Sequence, residues 1–200
     1  MQITVFGCKI YISVLFPALL SLILFFDQSG VMLFGVAAVV LHELGHLIVM
    51  LLFHLLPDEI VLQPAGIQIK RNMNTLGSGK RLLIAFAGCG ANLLVATGSY
   101  FVYSQTLNQL WLLFCACNIL LGVFNFLPVF GLDGYDILYI LLCNMANAKA
   151  ADLACKIISA LVVLFILTLS IWAFCMKAIN PSLLITSVYL LILLLINLRS

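Results

Sequence analysis

One apolar stretch decides the interpretation of this chain, because it contains Leu41-His42-Glu43-Leu44-Gly45-His46. In a helix, residues four positions apart share a face, so His42 and His46 can hold one divalent metal through their imidazole nitrogens. Glu43 lies beside them and can accept a proton from water at that metal. Each ionisable group inside an apolar span costs at least about 2.5 kcal/mol unless it is paired or functional. The stretch therefore predicts a metal centre within a membrane helix.

The composition around this stretch is that of a membrane protein. Of the 200 residues, 65% are hydrophobic and only 8% are charged, whereas about a quarter of a soluble domain is charged. So few polar side chains cannot cover a water-facing surface, and we predict an all-α polytopic membrane protein. The net charge of +2 argues against nucleic acid as a partner. The seven cysteines form no Cys-x-x-Cys pair and are interpreted as small buried hydrophobic residues.

Six apolar segments have about the 20 residues that a helix needs to cross a bilayer. The first begins too deep in the chain for a cleaved signal peptide. We expect a single membrane-embedded domain over 1–200, with a motif-bearing core at about 31–145 and neither a PDZ domain nor a nucleotide-sensing domain. The predicted spans are 10–26, 31–56, 81–103, 108–127, 152–175 and 181–198.

The cations predict the orientation in the membrane. Six crossings would put both termini on one side, and that side would hold every lysine and arginine except Lys177. The positive-inside rule then makes both termini cytosolic, and we expect a protein of a bacterial cytoplasmic membrane. The cations on the termini side are Lys9, Lys70, Arg71, Lys80, Arg81, Lys149, Lys156 and Arg199.

Residues 57–80 form a sizeable loop on the predicted cytosolic side. Within it, residues 60–69 contain two short extended runs around a Pro-Ala-Gly turn, which predicts a β-hairpin-like cytosolic or re-entrant segment. Two interpretations stay open. The segment is either a plain connector or a strand edge that pairs with an extended peptide.

A catalytic zinc ion needs a third protein ligand and one open position. His54 lies eight residues after His46, about 12 Å further along a continuous helix, and would not reach the same ion. The stretch that follows the fourth span offers aspartates instead. Pro128 and the nearby glycines predict a broken helix end, and Asp133 at its tip is a candidate ligand.

Two further polar residues accompany this break. Asp136 is the alternative ligand by sequence distance, although we expect it to stabilise the start of the following helix. Asn125, one turn before the proline, can bond freed carbonyl groups or a peptide backbone.

Together these motifs resemble a known family. His42-Glu43-x-x-His46 inside a span, followed by Asn125-x-x-Pro128-x-x-x-Leu132-Asp133-Gly134, resembles the site-2 protease family of intramembrane zinc metalloproteases. Between them, Gly88-Cys89-Gly90-Ala91-Asn92 is similar to the family's Gly-Pro-x-x-Asn element. The compact size and the six expected spans are most similar to the branch that includes the sporulation sigma-factor-processing proteases.

The resemblance implies one zinc ion, a general acid/base and residues that position the substrate. Two positions depart from the family's pattern, since Cys89 stands in place of a proline and Phe130-Gly131 stands where a second proline is common. These departures concern loop shape and substrate preference and remove no ligand. The implied zinc ligands are His42, His46 and Asp133, the acid/base is Glu43, and the substrate-binding residues are Asn125 and Asn92.

The predicted activity is hydrolysis of a peptide bond in or next to a transmembrane segment of a membrane-tethered substrate, at a site open to the cytosol. One alternative is a non-catalytic zinc-containing scaffold that binds partner helices, which would be expected to lose Glu43. Another is a metal transporter, which should show polar groups along several spans, whereas here they form one cluster. The expected partners are the substrate, the lipid bilayer and a regulatory membrane protein, without nucleic acid.

Overall fold

The computed structural model describes residues 2–5, 8–13, 17–18, 21, 25, 27, 30–63, 66–70, 76–176 and 181–199. Contacts divide the chain into two compact units, Met1–Val123 and Phe124–Ser200. The strands are β1 (Gln2–Val5), β2 (Cys8–Ile12), β3 (Glu59–Gln63) and β4 (Gly66–Lys70). The helices are α1 (Val31–Leu52), α2 (Ser78–Thr106), α3 (Gln109–Asn125), α4 (Asp133–Met145), α5 (Ala148–Cys175) and α6 (Pro181–Arg199).

Three helices of the described chain are long and apolar enough to cross a membrane, namely α1, α2 and α5. Helix α3 and the segment Leu183–Leu198 of α6 are apolar but shorter. Large apolar side chains such as Leu161, Phe165 and Trp172 are exposed along α5, as expected for a surface that faces lipid rather than water. The last five predicted spans each coincide with a helix, while the count of six crossings stays a prediction.

The first predicted span, 10–26, is wrong at its beginning. Residues Cys8–Ile12 form β2, since they alternate in polarity with a period of two and pair with neighbouring strands. Most of the remaining residues of that span lie outside the described part of the chain.

A four-stranded sheet in the first unit joins the N-terminal residues to the chain that follows α1. Its strand order is β1-β2-β3-β4. The outer pairs are antiparallel, whereas β2 and β3 run parallel with Ile10 opposite Ile60. The sequence predicted paired extended runs over 60–69, and β3 and β4 are antiparallel there. The predicted predominantly helical class is confirmed, while β1 and β2, which were not predicted, extend this pair into a four-stranded sheet.

Helix α1 approaches α2 through glycine. A Cβ atom at Gly45 would lie 2.6 Å from the carbonyl oxygen of Ala87 and 2.7 Å from the Cβ atom of Ala91. Real Cβ atoms do not come so close to backbone, so only glycine permits this approach, as is common where helices pack within membranes. At the end of α1, the Nζ atom of Lys80 lies 5.4 Å from the ring centroid of Phe53. This close pairing of helices positions the candidate site.

The second unit has a branched aliphatic core. Val129, Val163, Leu190 and Leu194 are buried together. Val129 comes from the segment between α3 and α4, where its amide donates to the carbonyl of Leu127 at 2.8 Å. The core therefore anchors the irregular segment that precedes Asp133.

Candidate metal centre and active site

His42 and His46 lie one helical turn apart on α1 and face each other. Their Nε2 atoms are 3.3 Å apart, and the rings meet edge to face with centroids 4.9 Å apart. Two imidazole nitrogens on one tetrahedral zinc ion, each about 2.0–2.1 Å from it, are about 3.3 Å apart. His42 is only 4% exposed. The predicted pair is thus brought together at the spacing that a shared metal ion requires.

Helix α2 fixes the orientation of His46. The Nδ1 atom of His46 lies 2.8 Å from the carbonyl oxygen of Ile84, which is itself buried. A carbonyl can only accept, so Nδ1–H donates this bond and the lone pair of the neutral ring is on Nε2. Such an outer hydrogen bond is the usual means of holding a metal-ligating histidine in one tautomer.

Gly88 leaves space for the two imidazole rings. A Cβ atom at this position would collide with Nε2 of His46 and would lie 2.6 Å from Cε1 and 2.7 Å from Nε2 of His42. The rings therefore fill the space that any other side chain would occupy. Only glycine therefore fits at this position of the Gly88-x-x-x-Asn92 element.

Glu43 follows His42 directly and is half-buried. Consecutive residues of a helix are rotated by about 100°, so the carboxylate lies on the same turn but beside the histidine face. This is the arrangement expected of a general base next to two ligands rather than of a third ligand on the same face.

Asn92 connects α2 to α3. It is fully buried, and its Nδ2 atom donates a long hydrogen bond of 3.5 Å to the carbonyl oxygen of Asn118. Asn118 is also fully buried and donates to the carbonyl of Phe114 at 2.9 Å. Neither Oδ1 atom has a hydrogen-bond partner among the described residues. Asn118 was not predicted from the sequence. Its amide side chain stands within the apolar run of α3, and such a polar group is costly to bury unless it has a partner or a role.

Cys89 lies at the histidine pair, which the sequence analysis did not anticipate. Its Sγ atom and a ring nitrogen of His42 are within 4.8 Å of each other. The thiol donates to the carbonyl oxygen of Gly122 at 3.5 Å, and the residue is half-buried. The signal in the sequence was that Cys89 directly follows Gly88, in the element that resembles the family's Gly-Pro-x-x-Asn.

The remaining predicted residues belong to the second unit. Helix α3 ends at Asn125 and α4 begins at Asp133, so the predicted helix break exists. A Cβ atom at Gly134 would collide with the carbonyl oxygens of Phe126 and Leu127, which makes glycine necessary at this turn. Asp133 and Asp136 both lie in the first turn of α4, where carboxylates are favoured by the helix dipole. The zinc-binding role of Asp133 and the substrate-binding roles of Asn125 and Asn92 stay predictions.

No protein-family model matches the chain, and no curated protein matches its sequence. A solved structure does match, the Site-2 Protease from Methanocaldococcus jannaschii, with a TM-score of 0.67 over 95% of this chain and 91% of that chain. The chain has the site-2 protease fold. The sequences are 22% identical, so the resemblance inferred from the motifs is confirmed at the level of the fold.

Within this site-2 protease fold, His54 and Asp27 lie beyond the two ends of α1. Helix α1 ends at Leu52, and His54 is exposed with a left-handed φ of 55°. The continuous helix assumed for its distance is therefore wrong, although His54 does lie beyond the helix end. Asp27 lies at the other end of α1, where its Oδ2 atom accepts from the amide of Met32 at 2.8 Å.

Proposed function

We propose that this chain is an intramembrane zinc metalloendopeptidase of the site-2 protease family. It would cleave a peptide bond in or next to a transmembrane segment of a membrane-tethered substrate. The observation that carries the proposal is the pair His42 and His46, with Nε2 atoms 3.3 Å apart, in a chain with the site-2 protease fold. A polar pair of this kind inside an apolar helix is costly unless it has a function.

The donor set fits a catalytic zinc site. His42 and His46 would hold the ion, with Asp133 as the predicted third ligand. Two nitrogens and one carboxylate leave one position open, which is the pattern of catalytic rather than structural zinc. When bound, zinc polarises the scissile carbonyl and lowers the pKa of water.

The chain's own residues would do the rest of the chemistry. Glu43 would accept the proton of the attacking water and deliver it to the leaving amine. The bond from His46 to the carbonyl of Ile84 would keep the ring fixed while charge changes next to it. Of these groups, only the carboxylate of Glu43 needs to gain and lose a proton.

Substrate binding would use an extended peptide, because a helical substrate keeps its carbonyls occupied until it unwinds locally. Strand β4 ends the sheet order on one side, so its outer edge is a candidate for strand addition. Asn125 and Asn92 are the proposed positioning residues. The cation distribution supports an active site that opens to the cytosol, with both termini on that side of a bacterial cytoplasmic membrane.

Glu43→Gln tests the function. The variant would first be used to trap substrates in the native membrane, and a trapped substrate would then be reconstituted with wild type and variant. Cleavage should fall by about 10²–10⁴-fold, as is typical for loss of a general base, while zinc stays bound. His54→Ala is the matched control and should change neither property. Cleavage by Glu43→Gln at the wild-type rate would reject Glu43 as the general base. A wild-type protein that binds zinc and cleaves no trapped substrate would favour the non-catalytic scaffold.

A further inference from the structure

The side of the histidine pair that faces α2 carries a third metal-ligating group. Gly88 of α2 lies directly against both imidazole rings, and the next residue is Cys89. Its Sγ atom is within 4.8 Å of a ring nitrogen of His42. The thiol of α2 is thus near His42, and His42 in turn lies 3.3 Å from His46 between their Nε2 atoms, all inside the first unit.

The geometry needed for ligation is close to the geometry observed. On a tetrahedral zinc ion, a sulfur at about 2.3 Å and a nitrogen at about 2.0–2.1 Å are about 3.5 Å apart. The separation of at most 4.8 Å therefore has to shorten by at most about 1.3 Å, which rotation about the Cα–Cβ bond of Cys89 can supply. The thiol contact to the carbonyl of Gly122 is 3.5 Å long, and a thiol is a weak donor, so little is lost when it is released.

We propose that Cys89 is a sulfur ligand of the metal held by His42 and His46, and that in the resting protein its thiolate occupies the position that water needs for catalysis. The inference rests on the metal site of the proposed function and adds a ligand to it. Formation of the sulfur–metal bond releases the thiol proton to solvent, as expected for a coordinating cysteine. With the predicted ligand Asp133, the site would have four protein ligands.

A site closed by four protein ligands is typical of structural zinc, whereas hydrolysis needs an open position. Before each cleavage the sulfur would therefore have to leave the metal, take up a proton from solvent again and yield its position to water. The resting protein would be protected from idle hydrolysis, and a substrate or partner that displaces α2 slightly would open the site. The proline found at this position in the family pattern has no donor atom, so this device belongs to Cys89 in particular.

X-ray absorption at the zinc edge tests the ligand directly. The full chain, kept reduced in lipid and loaded with one zinc ion, should show one sulfur neighbour at about 2.3 Å besides nitrogen and oxygen at about 2.0–2.1 Å. Cys89→Ser should lose the sulfur neighbour while retaining zinc. Cys117→Ser, which changes another half-buried cysteine, is the matched control and should keep it.

Cobalt(II) in place of zinc gives an independent measurement. Wild type and the Cys117→Ser control should show a thiolate-to-cobalt charge-transfer band that Cys89→Ser lacks. Zinc bound in wild type through nitrogen and oxygen alone would overturn this inference and leave the proposed function standing. A wild-type protein that binds no zinc at all would overturn both.

Discussion

The two units pack their helices in opposite ways. In the first unit α1 meets α2 through Gly45 and Gly88, and the space next to Gly88 is filled by imidazole rings. In the second unit, branched side chains such as Val163 and Leu190 fill the core. An added methyl group is intolerable in the first contact, whereas a removed one leaves a cavity in the second.

The contact between α1 and α2 therefore serves the candidate site, whereas the core of the second unit serves stability. The first contact holds polar groups that are costly to bury and that need a defined geometry. The aliphatic core of the second unit contains no ionisable side chain among its buried members. It holds the segment before α4 through apolar packing. Substitutions at the contact between α1 and α2 should therefore lower zinc binding and cleavage, whereas substitutions in the aliphatic core should lower the free energy of unfolding.

The largest effect is expected for Gly88→Ala. The new methyl group would overlap the Nε2 atoms of both histidines, so the pair cannot keep its spacing for one ion. Zinc binding should be lost and cleavage should fall at least as far as in Glu43→Gln, by about 10²-fold or more. Gly90→Ala, two residues away with open space around its Cβ position, should keep zinc and cleavage.

Asp133→Ala tests whether the second unit supplies a ligand to the metal. If Asp133 is a ligand, its removal should lower the zinc content, because the two histidines would be left with at most the sulfur of Cys89. Asp136→Ala, in the same first turn of α4, should keep most of the zinc. The opposite ranking would transfer the ligand role to Asp136. Zinc measured per purified chain distinguishes the two.

Leu190→Ala tests the aliphatic core of the second unit. The side chain is fully buried, and its truncation should lower the free energy of unfolding by about 2 kcal/mol or more through the cavity it leaves. Leu161→Ala, on an exposed position of α5, should have little effect. Both variants should bind zinc like wild type when folded, as measured in detergent at low temperature. Zinc loss in folded Leu190→Ala would mean that the two packing modes are coupled.

The smallest effect is expected at the sheet edge. Proline at Ile67 or Ile69 of β4 removes a backbone donor and should reduce cleavage modestly without releasing zinc. Unchanged cleavage in both variants would make β3 and β4 a connector, which is the other interpretation of this segment.

The sequence predicted features that depend on local spacing. The His-Glu-x-x-His motif placed both ligands on one helical face, and apolar runs located five helices within a few residues. It missed β1 and β2, because residues 8–12 merge into an apolar run. It expected a helix to begin near Asp136 but gave no bounds for α4. The proximity of Cys89 to the histidines depends on how α2 packs against α1, which no single-segment pattern contains.

The parallel pairing of β2 with β3 has a consequence for synthesis. Since all of α1 lies between these strands, a ribosome adding about 5–20 residues per second needs roughly 2–9 s to deliver β3 after β2. During that delay β1 and β2 form at most a two-stranded hairpin, which is marginally stable in water. The sheet can be completed only after the histidine-bearing helix has left the ribosome. Protease resistance of the N-terminal residues in stalled nascent chains should therefore appear only once residue 70 has emerged.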